Sequence, residues 1–554
     1  MKKISKLLGI IAVIFGLFVV ASCGTDDSEV KGELTTQQTY STIKMTCKVE
    51  DPNNKVNKSS VYVAIYNEDN EKVSTNNFTT LPAKDDAGNY KSETITAKSL
   101  TANTTYKLRF YCTIGTSEHL FEEKSVKTTD QGLSEENPIL INNADELYAM
   151  TDNLNAYYKL NADIDLGIEN NRSAIFSSSN PFAGHFDGNN HTISNFYTTT
   201  NNQEIGLFGN IGKKGVIKNV VVDTVKIGSE SSPIVRTSET RLGAVASTNK
   251  GKLENVTAKN VDMYFKTTTS SSTTLYYLGG FVGFNEGVID GCHVGGKFST
   301  FIYTIARVGG FVGYDEATSD YSIKNSSSNV ELSCTLTSSS SSGSEESKYT
   351  VAEYVGGFAG EVRGRIKDCY AKGSVTASYS FEYKSAVIYP LGAAIGGFAG
   401  VANEQAWIKG TMTNVNILFT SKNCLEQNIG LFIGVVGRHA NADNFVNNVI
   451  VGKNTVMTLT LTDDQGVFKP IKSVTVEGET TTTEVDRTVR VGFIASMNDS
   501  FKTKLADNYS ITELPTFTSD VESVVLDVAL GKAYTELTLS EYVLNAIRTI
   551  LDQQ

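Results

Sequence analysis

Leu278-Gly-Gly-Phe-Val-Gly283, Val308-Gly-Gly-Phe-Val-Gly313, Val355-Gly-Gly-Phe-Ala-Gly360 and Ile395-Gly-Gly-Phe-Ala-Gly400 are four copies of one phrase, and they decide the fold. Weaker copies extend the series to eight: Ile205-Gly-Leu-Phe-Gly209, Leu242-Gly-Ala-Val-Ala246, Ile429-Gly-Leu-Phe-Ile-Gly434 and Val491-Gly-Phe-Ile-Ala495. Their first glycines, Gly206, Gly243, Gly279, Gly309, Gly356, Gly396, Gly430 and Gly492, stand 37, 36, 30, 47, 40, 34 and 62 residues apart. A second phrase follows most copies, as in Leu253-Glu-Asn-Val256, Val288-Ile-Asp-Gly-Cys292, Ile323-Lys-Asn-Ser326 and Ile366-Lys-Asp-Cys369. In three units the interval from first glycine to the opening Ile or Leu is the same: 243 to 253, 279 to 289 and 356 to 366. Constant spacing inside the unit with variable spacing between units describes a rigid rung carrying loops of different length.

A solenoid buries its core by stacking like on like, so each rung needs an inward apolar residue at one place and a compact residue where the chain turns. Phe208, Phe281, Phe311, Phe358, Phe398 and Phe432 are expected to form an internal aromatic stack. Gly279-Gly280, Gly309-Gly310, Gly356-Gly357, Gly396-Gly397, Gly206 and Gly430 would permit a tight turn or a close backbone approach. The recurring Asn219, Asn255, Asn325, Asn414 and Asn447 suit a left-handed turn and an amide ladder. Cys292 and Cys369 occupy matching repeat positions and read as small inward-facing residues.

Gly-Gly-Phe-Val-Gly followed by Ile-x-Asn/Asp-Cys resembles the GLUG repeat of bacterial cell-surface proteins, which implies a right-handed parallel β-helix. The similarity reaches upstream to Tyr157-Tyr-Lys-Leu-Asn-Ala-Asp-Ile-Asp-Leu166 and Phe182-Ala-Gly-His-Phe-Asp-Gly-Asn-Asn-His-Thr-Ile193, which look like opening coils, and covers about residues 133 to 505. At about 4.8 Å per rung, eight or nine coils would extend on the order of 40 Å. Two segments look like end caps. Asn143-Ala-Asp-Glu-Leu-Tyr-Ala-Met150 has helical spacing, and Thr538-Leu-Ser-Glu541 resembles a capping box ahead of an amphipathic helix ending near Leu551. Ser/Thr/Glu-rich insertions at Lys266 to Thr274, Thr337 to Ser347 and Val476 to Glu484 are expected as hairpins or loops on one side, a candidate binding side.

The chain of 554 residues has a formal charge of −12, 40% hydrophobic residues, 46 glycines, 8 prolines, one Trp and five His. That composition excludes disorder and a collagen-like chain, and the acidic balance excludes a nucleic-acid binder. Residues 1–22 read as a leader: Lys2, Lys3 and Lys6 precede the apolar run Leu7 to Val20. Val20-Ala21-Ser22-Cys23 resembles the bacterial lipobox, which implies diacylation of Cys23 and anchoring in a membrane. The leader carries three lysines and no acid, so its removal takes the charge to −15. Residues 23–32 then read as an acidic tether. The expected location is the bacterial envelope, lipid-anchored at the outer surface, on the outer membrane if the source is Gram-negative.

Between 33 and 130 short alternating strands such as Val61-Tyr-Val-Ala-Ile-Tyr66 and Tyr106 to Ile114 alternate with turn clusters, which implies an antiparallel β-sandwich. Leu100-Thr-Ala-Asn-Thr-Thr-Tyr106 resembles the corner before the penultimate strand of fibronectin type III domains, where a leucine and a tyrosine hydroxyl pin the turn; an immunoglobulin-like module is the alternative. Cys47 and Cys112 fall on apolar faces of their strands and could be a disulfide or two buried thiols. The remaining divisions are a β-helix over 131–510 and a C-terminal segment, 511–554, with its capping helix.

Parallel β-helices also host polysaccharide lyases and glycosidases, whose sites need clustered carboxylates. Asp163 and Asp165 share a face and Asp187 lies a coil away, a weak acidic candidate within a structural motif. Some GLUG-bearing proteins are immunoglobulin A proteases, but their zinc-binding H-E-x-x-H is absent: no two of His119, His185, His191, His293 and His439 are four apart. Neither a metal nor a cofactor is expected. The leading expectation is a non-catalytic surface protein for adhesion or binding of an extracellular or host glycan or protein, with a carbohydrate-active enzyme as the alternative.

Overall fold

The structure, a computed structural model, describes residues 30–78, 89–268, 274–303, 305–317, 320–339, 353–382, 393–422, 426–462, 471–476, 479–484, 488–499, 501, 503–504, 509–520 and 533–553. The leader, Cys23 and Cys424 lie outside the described residues, as do parts of all three Ser/Thr/Glu-rich insertions. Two compact units divide at Ile139 and Leu140.

The first unit is an antiparallel sandwich. One sheet pairs Lys31–Gln38 with Ile43–Glu50, which also pairs with Asn89–Lys91 and Ile95–Ala97. The other sheet runs Lys72–Asn77, Tyr62–Tyr66, Thr105–Ile114, Ser117–Lys127. The period-two pattern of IKMTCKVE and TYKLRFYCTI puts every second residue into one shared core that includes Met45, Val49, Val63, Leu108 and Phe110. The first strand begins at Lys31, because Leu34 is needed to close that core. Tyr106 pins the preceding turn as expected: its hydroxyl accepts from the Thr101 amide at 2.9 Å, and Leu100 is buried. Cys47 and Cys112 both sit in the core as free thiols, so the bridge is not made. Burial pushes the Cys112 thiol up to about 12 and raises Cys47 further.

The second unit is a solenoid of parallel strands. Each rung contributes a glycine arch, a short corner strand and a long flank strand. Rung pairs with rung like on like, Ile289 with Ile323, Ile323 with Ile366, and Ile366 with Ile408 at the corner, with register shifts at Gly209/Asn210, Ala258/Val261 and Gly430/Ile433. Along the flank, all thirteen residues of Ser327–Ser339 pair with Tyr370–Glu382. The corner strand joins the flank through one left-handed residue, filled by Asn219, Asn255, Gly291, Asn325, Asp368, Gly410 and Asn447. Asn414 is not among them; Gly410 takes that place, and the Asn414 amide donates to Val451 O and Thr455 Oγ1 instead. The residue after the turn is buried in every rung: Val220, Val256, Cys292, Ser326, Cys369, Thr411 and Asn448.

The paired glycines are there for close approach. A Cβ on the first would meet the carbonyl three residues on, at 2.0 Å for Gly279, Gly309 and Gly356, so the arch folds back on itself. A Cβ on the second would meet the next rung, 2.0 Å from Gly310 O for Gly280 and 2.3 Å from Gly397 O for Gly357. With no side chain between, the phenylalanines stack: Phe281, Phe311, Phe358, Phe398 and Phe432 have successive centroids 4.8, 4.6, 4.8 and 5.1 Å apart. Each such contact adds about 0.5–1.5 kcal/mol beyond area burial. Phe208 stands outside the column. Val245 occupies the place between it and Phe281, and Phe208 packs on Phe186.

The solenoid runs past residue 510, since Tyr509–Ile511 and Thr516–Ser519 pair with Asn448–Ile450 and Val456–Thr462 as a last rung. The insertion at Val476 to Glu484 belongs to an antiparallel hairpin, Ile471–Val476 with Glu479–Glu484. At the start, the helix Ala144–Tyr148 is capped by Asn143, whose Oδ1 accepts from the Glu146 amide, and it buries Leu147, while Met150 is buried in the 3-10 turn Ala149–Asp152 that follows. The C-terminal helix, Glu541–Asp552, is capped by Ser540 rather than Thr538, so no capping box forms. Nor does it cover an end. Its apolar face, Val543, Ala546 and Ile547, packs on Met412, Val449 and Val451, while Tyr542 reaches Tyr370 and the His293 ring. His293, Ser327, Tyr370, Met412 and Val449 are one register row, so the helix lies along the side across five rungs.

Candidate functional site

The acidic candidates are committed to turns. Asp163 accepts from the Thr192 amide at 2.9 Å and meets His191 Nδ1 at 3.0 Å. Asp165 accepts from Asn195 Nδ2 and the Gly167 amide, each at 2.8 Å. These bonds hold both carboxyls below the usual carboxylate range. Asp187 accepts from the Asn189 amide at 2.8 Å and from Asn219 Nδ2 at 3.1 Å. Each carboxylate closes its own loop or ties one coil to the next. Among the described residues no group of three His, Cys, Asp or Glu could hold a metal ion.

Three arrangements were not foreseen from the sequence. The first is a polar ladder inside the solenoid. Asn249 Nδ2 donates to Asn285 Oδ1 and Asn285 Nδ2 to Asp315 Oδ1, both at 2.8 Å, and all three residues are fully buried. Ser322 Oγ lies 2.6 Å from Asp315 Oδ2 and 2.8 Å from Arg365 O. A hydroxyl has one proton, so both contacts are satisfied only if Asp315 is protonated and donates to Ser322, which then donates to Arg365 O. Burial accordingly pushes the Asp315 carboxyl up to about 7, and Glu353, also fully buried, rises to about 7 for the same reason.

A second arrangement is a satellite cluster of Tyr277, Phe284 and Tyr314 on the glycine sheet. Arg241 lies 4.4 Å over Phe284, and Arg307 lies 5.7 Å over both Tyr277 and Tyr314 and 5.3 Å over Tyr354. Arg307 is ion-paired with Glu361, which also accepts from Asn403. The aromatic faces are thus occupied by guanidinium groups, and the three rings are under 10% exposed. This cluster fastens rungs together; it is not an open platform for a sugar.

Last is a depression of about 410 Å³ where the glycine arch meets the corner strand, lined by Lys213, Lys214, Gly215, Lys250, Gly251, Lys252, Glu286 and Gly287. Three successive rungs supply it, with Lys252 in register between Val216 and Val288. Its floor is bare backbone. A Cβ on Gly251 would lie 2.1 Å from Gly215 O and one on Gly287 2.2 Å from Gly251 O. Elsewhere the outward positions of the flank are rows of small hydroxyls interrupted by charges and a few apolar side chains, such as Ser299, Ser333, Thr376, Leu418 and Thr458. No helix among the described residues is long and apolar enough to cross a membrane.

The family model for the GLUG motif matches residues 351–376, the rung built on Gly356-Gly357-Phe358 and Ile366-Lys-Asp-Cys369. The chain therefore carries the repeat that its glycine phrases resemble. Two curated proteins are similar over part of it. A "Putative Gly-rich membrane protein" of Evansella cellulosilytica is 31% identical over 138 residues, 23% of this chain and 15% of that protein. The "Halomucin" of Haloquadratum walsbyi is 31% identical over 166 residues, 27% of this chain and 2% of that protein. The chain thus matches only a small fraction of either relative's length. One solved structure, an IgA1 protease, is similar with a TM-score of 0.28 and 13% identity, covering 88% of this chain and 33% of that one. A score that low carries no argument about fold or activity.

Proposed function

We propose that this GLUG-bearing chain is a lipid-anchored bacterial surface protein that binds an extracellular glycan or protein along the side of its solenoid and catalyses no reaction. The observation that carries the proposal is the register itself. Unbroken pairing from Ser327–Ser339 to Tyr370–Glu382 and on to Met412–Lys422 repeats each outward position at one-rung intervals, which suits contact with an extended or repetitive ligand. Supporting it, the carboxylates of the opening coils are spent on turn amides. The anchor rests on Cys23 in its lipobox-like setting, and the fibronectin type III reading of the sandwich rests on the Tyr106 corner. A right-handed course follows from the GLUG resemblance. That the partial relatives are named as a membrane protein and a halomucin accords with an envelope location.

The test is an array of glycans and host-matrix proteins probed with the full chain in detergent. Retention of specific ligands without turnover is expected. Cleavage of a glycan, lost on Asp163→Ala with Asp165→Ala, would replace the proposal with a carbohydrate-active enzyme. For the anchor, metabolic labelling with palmitate should mark the chain and fail on Cys23→Ala; labelling that survives the substitution would remove the anchor from the proposal.

A further inference from the structure

We infer that the lysine groove at the glycine corner binds a short acidic stretch of a polysaccharide through its carboxylate or sulfate groups. This rests on the binding role proposed above and names the class of ligand. In a chain of net charge −12, four lysines from two adjacent rungs converge on one depression of about 410 Å³, opposed on its lining by Glu286 alone. Lys250 is paired with Glu286 at 2.5 Å, and Lys252 with Glu254 at 2.6 Å. Lys213 and Lys214 are exposed and have neither ion pair nor hydrogen bond among the described residues. Two cations are thus committed to the rungs and two are free for a ligand.

The floor narrows the chemistry. The floor glycines already donate, Gly215 N to Gly212 O at 2.8 Å, Gly251 N to Asn249 Oδ1 at 3.1 Å and Gly287 N to Asn285 Oδ1 at 3.3 Å, so recognition falls to the lysine rim. Ammonium groups are point charges that impose little orientation, which suits anions along a flexible glycan better than a single planar group, for which an arginine fork would be the better match. The two free ammonium groups belong to neighbouring residues of one rung, Lys213 and Lys214, with the Lys250–Glu286 pair one rung on, so the free cations meet one or two acidic sugars and the paired rung bounds the contact. A cavity of this size holds a few sugars rather than one small anion. Nucleic acid is disfavoured because no aromatic side chain lines the groove to stack a base, and because a chain of net charge −12 repels a long polyanion.

The experiment is biolayer interferometry of the full chain in detergent against four immobilised probes: oligogalacturonate, its methyl ester, heparin oligosaccharides and polyglutamate. Oligogalacturonate or heparin should bind, the ester should not, and binding should weaken steeply as salt is raised. Lys213→Glu with Lys214→Glu should weaken it by at least about tenfold, while Lys72→Glu in the sandwich should change nothing. Both lysines are exposed, so the double variant should keep the parent's melting curve. Equal binding of the ester, a preference for polyglutamate, or full affinity in the double variant overturns the inference alone, leaving binding elsewhere on the solenoid. If neither these probes nor the wider array binds at all, the binding role falls with it.

Discussion

Adding a single methyl group at Gly356 should damage this protein more than almost any other change of that size. The Cβ of Gly356→Ala would stand 2.0 Å from Ala359 O and 2.8 Å from Phe398 O, where ordinary contact begins near 3.4 Å. The obstruction is backbone on both sides, so no side chain can swing away. Relief requires opening the arch by more than an ångström. That arch is tied by Gly310 N to Gly356 O at 3.0 Å below, and by Phe358 N and Ala359 N to Phe398 O at 2.9 and 3.0 Å above. Losing one buried backbone bond costs about 1–3 kcal/mol, and overpacking adds a similar amount, so a loss of about 4 kcal/mol or more is expected. Gly295→Ala is the control, because its Cβ meets nothing closer than Asn329 O at 3.5 Å. There the reduced entropy of the unfolded chain should leave stability unchanged or raise it by about 0.4–1 kcal/mol. Trp407, the only tryptophan, lies in a solenoid rung 4.9 Å from the Arg365 guanidinium, so its fluorescence in a urea titration reports this unit and not the sandwich. Equal midpoints for the two variants would refute the close-approach reading of the glycine phrase.

The ladder that ends at Asp315 makes stability depend on pH in a defined direction. Its carboxyl sits near 7 when folded against an ordinary 3.8, so its contribution is full below about pH 4 and is lost as pH rises through 7. The unfolding free energy should therefore fall by on the order of a few kcal/mol between pH 5 and pH 8, and the fall should vanish only when Asp315→Asn is combined with Glu353→Gln, since Glu353 shares the shift, while His293, which burial holds below its ordinary value, adds a slope of the opposite sign. In a His293→Gln background, stability that does not fall over that range would mean Asp315 and Glu353 are ionised in the fold. The five described cysteines are buried thiols and should be silent to a thiol reagent in the native protein, and reductant should not move the sandwich's melting temperature; a reductant-dependent shift would restore the Cys47–Cys112 bridge. Deleting residues 541–554 uncovers Met412, Val449 and Val451, so it should lower the unfolding free energy read by Trp407 by a few kcal/mol at about 25 cal/mol per Å² uncovered; an unchanged value would make the helix an ornament.

What the sequence disclosed and what it withheld divide along a physical line. Features repeated at one place in every rung were legible, because stacking forces the same demand on the same position: the double glycine, the phenylalanine column from Phe281 to Phe432, and the left-handed Asn at 219, 255, 325 and 447. Where one rung departs, the neighbours decide. Val245 breaks the column, so Phe208 turns to Phe186, and Gly410 rather than Asn414 makes its turn. The C-terminal helix was legible as a helix from its own period, but its resting place was not. Amphipathicity says that one face must be covered and does not say by what. The answer lay in a row assembled from five rungs, two of whose members, Met412 and Val449, are apolar and need cover in turn.

The polar ladder and the lysine groove left a signal of the same kind as the glycines, read at the wrong residues. Asn249, Asn285 and Asp315 each stand six positions after the first glycine of their rung, where later rungs carry Val362, Ala402 and Val436. A polar residue kept at one rung position in consecutive repeats, and then replaced by apolar ones, marks a buried ladder with an end. The end is where the chemistry concentrates, since Asp315 has no amide beyond it and must meet Ser322 instead. The groove follows from Lys213-Lys214-Gly215, Lys250-Gly251-Lys252 and Glu286-Gly287-Val288, where cations flank the same stacked glycine in two rungs and an acid does so in the third. In a protein built from one repeated rung, the residues that keep the repeat make the fold. The residues that depart from it together, in adjacent rungs, are where a site has to be sought.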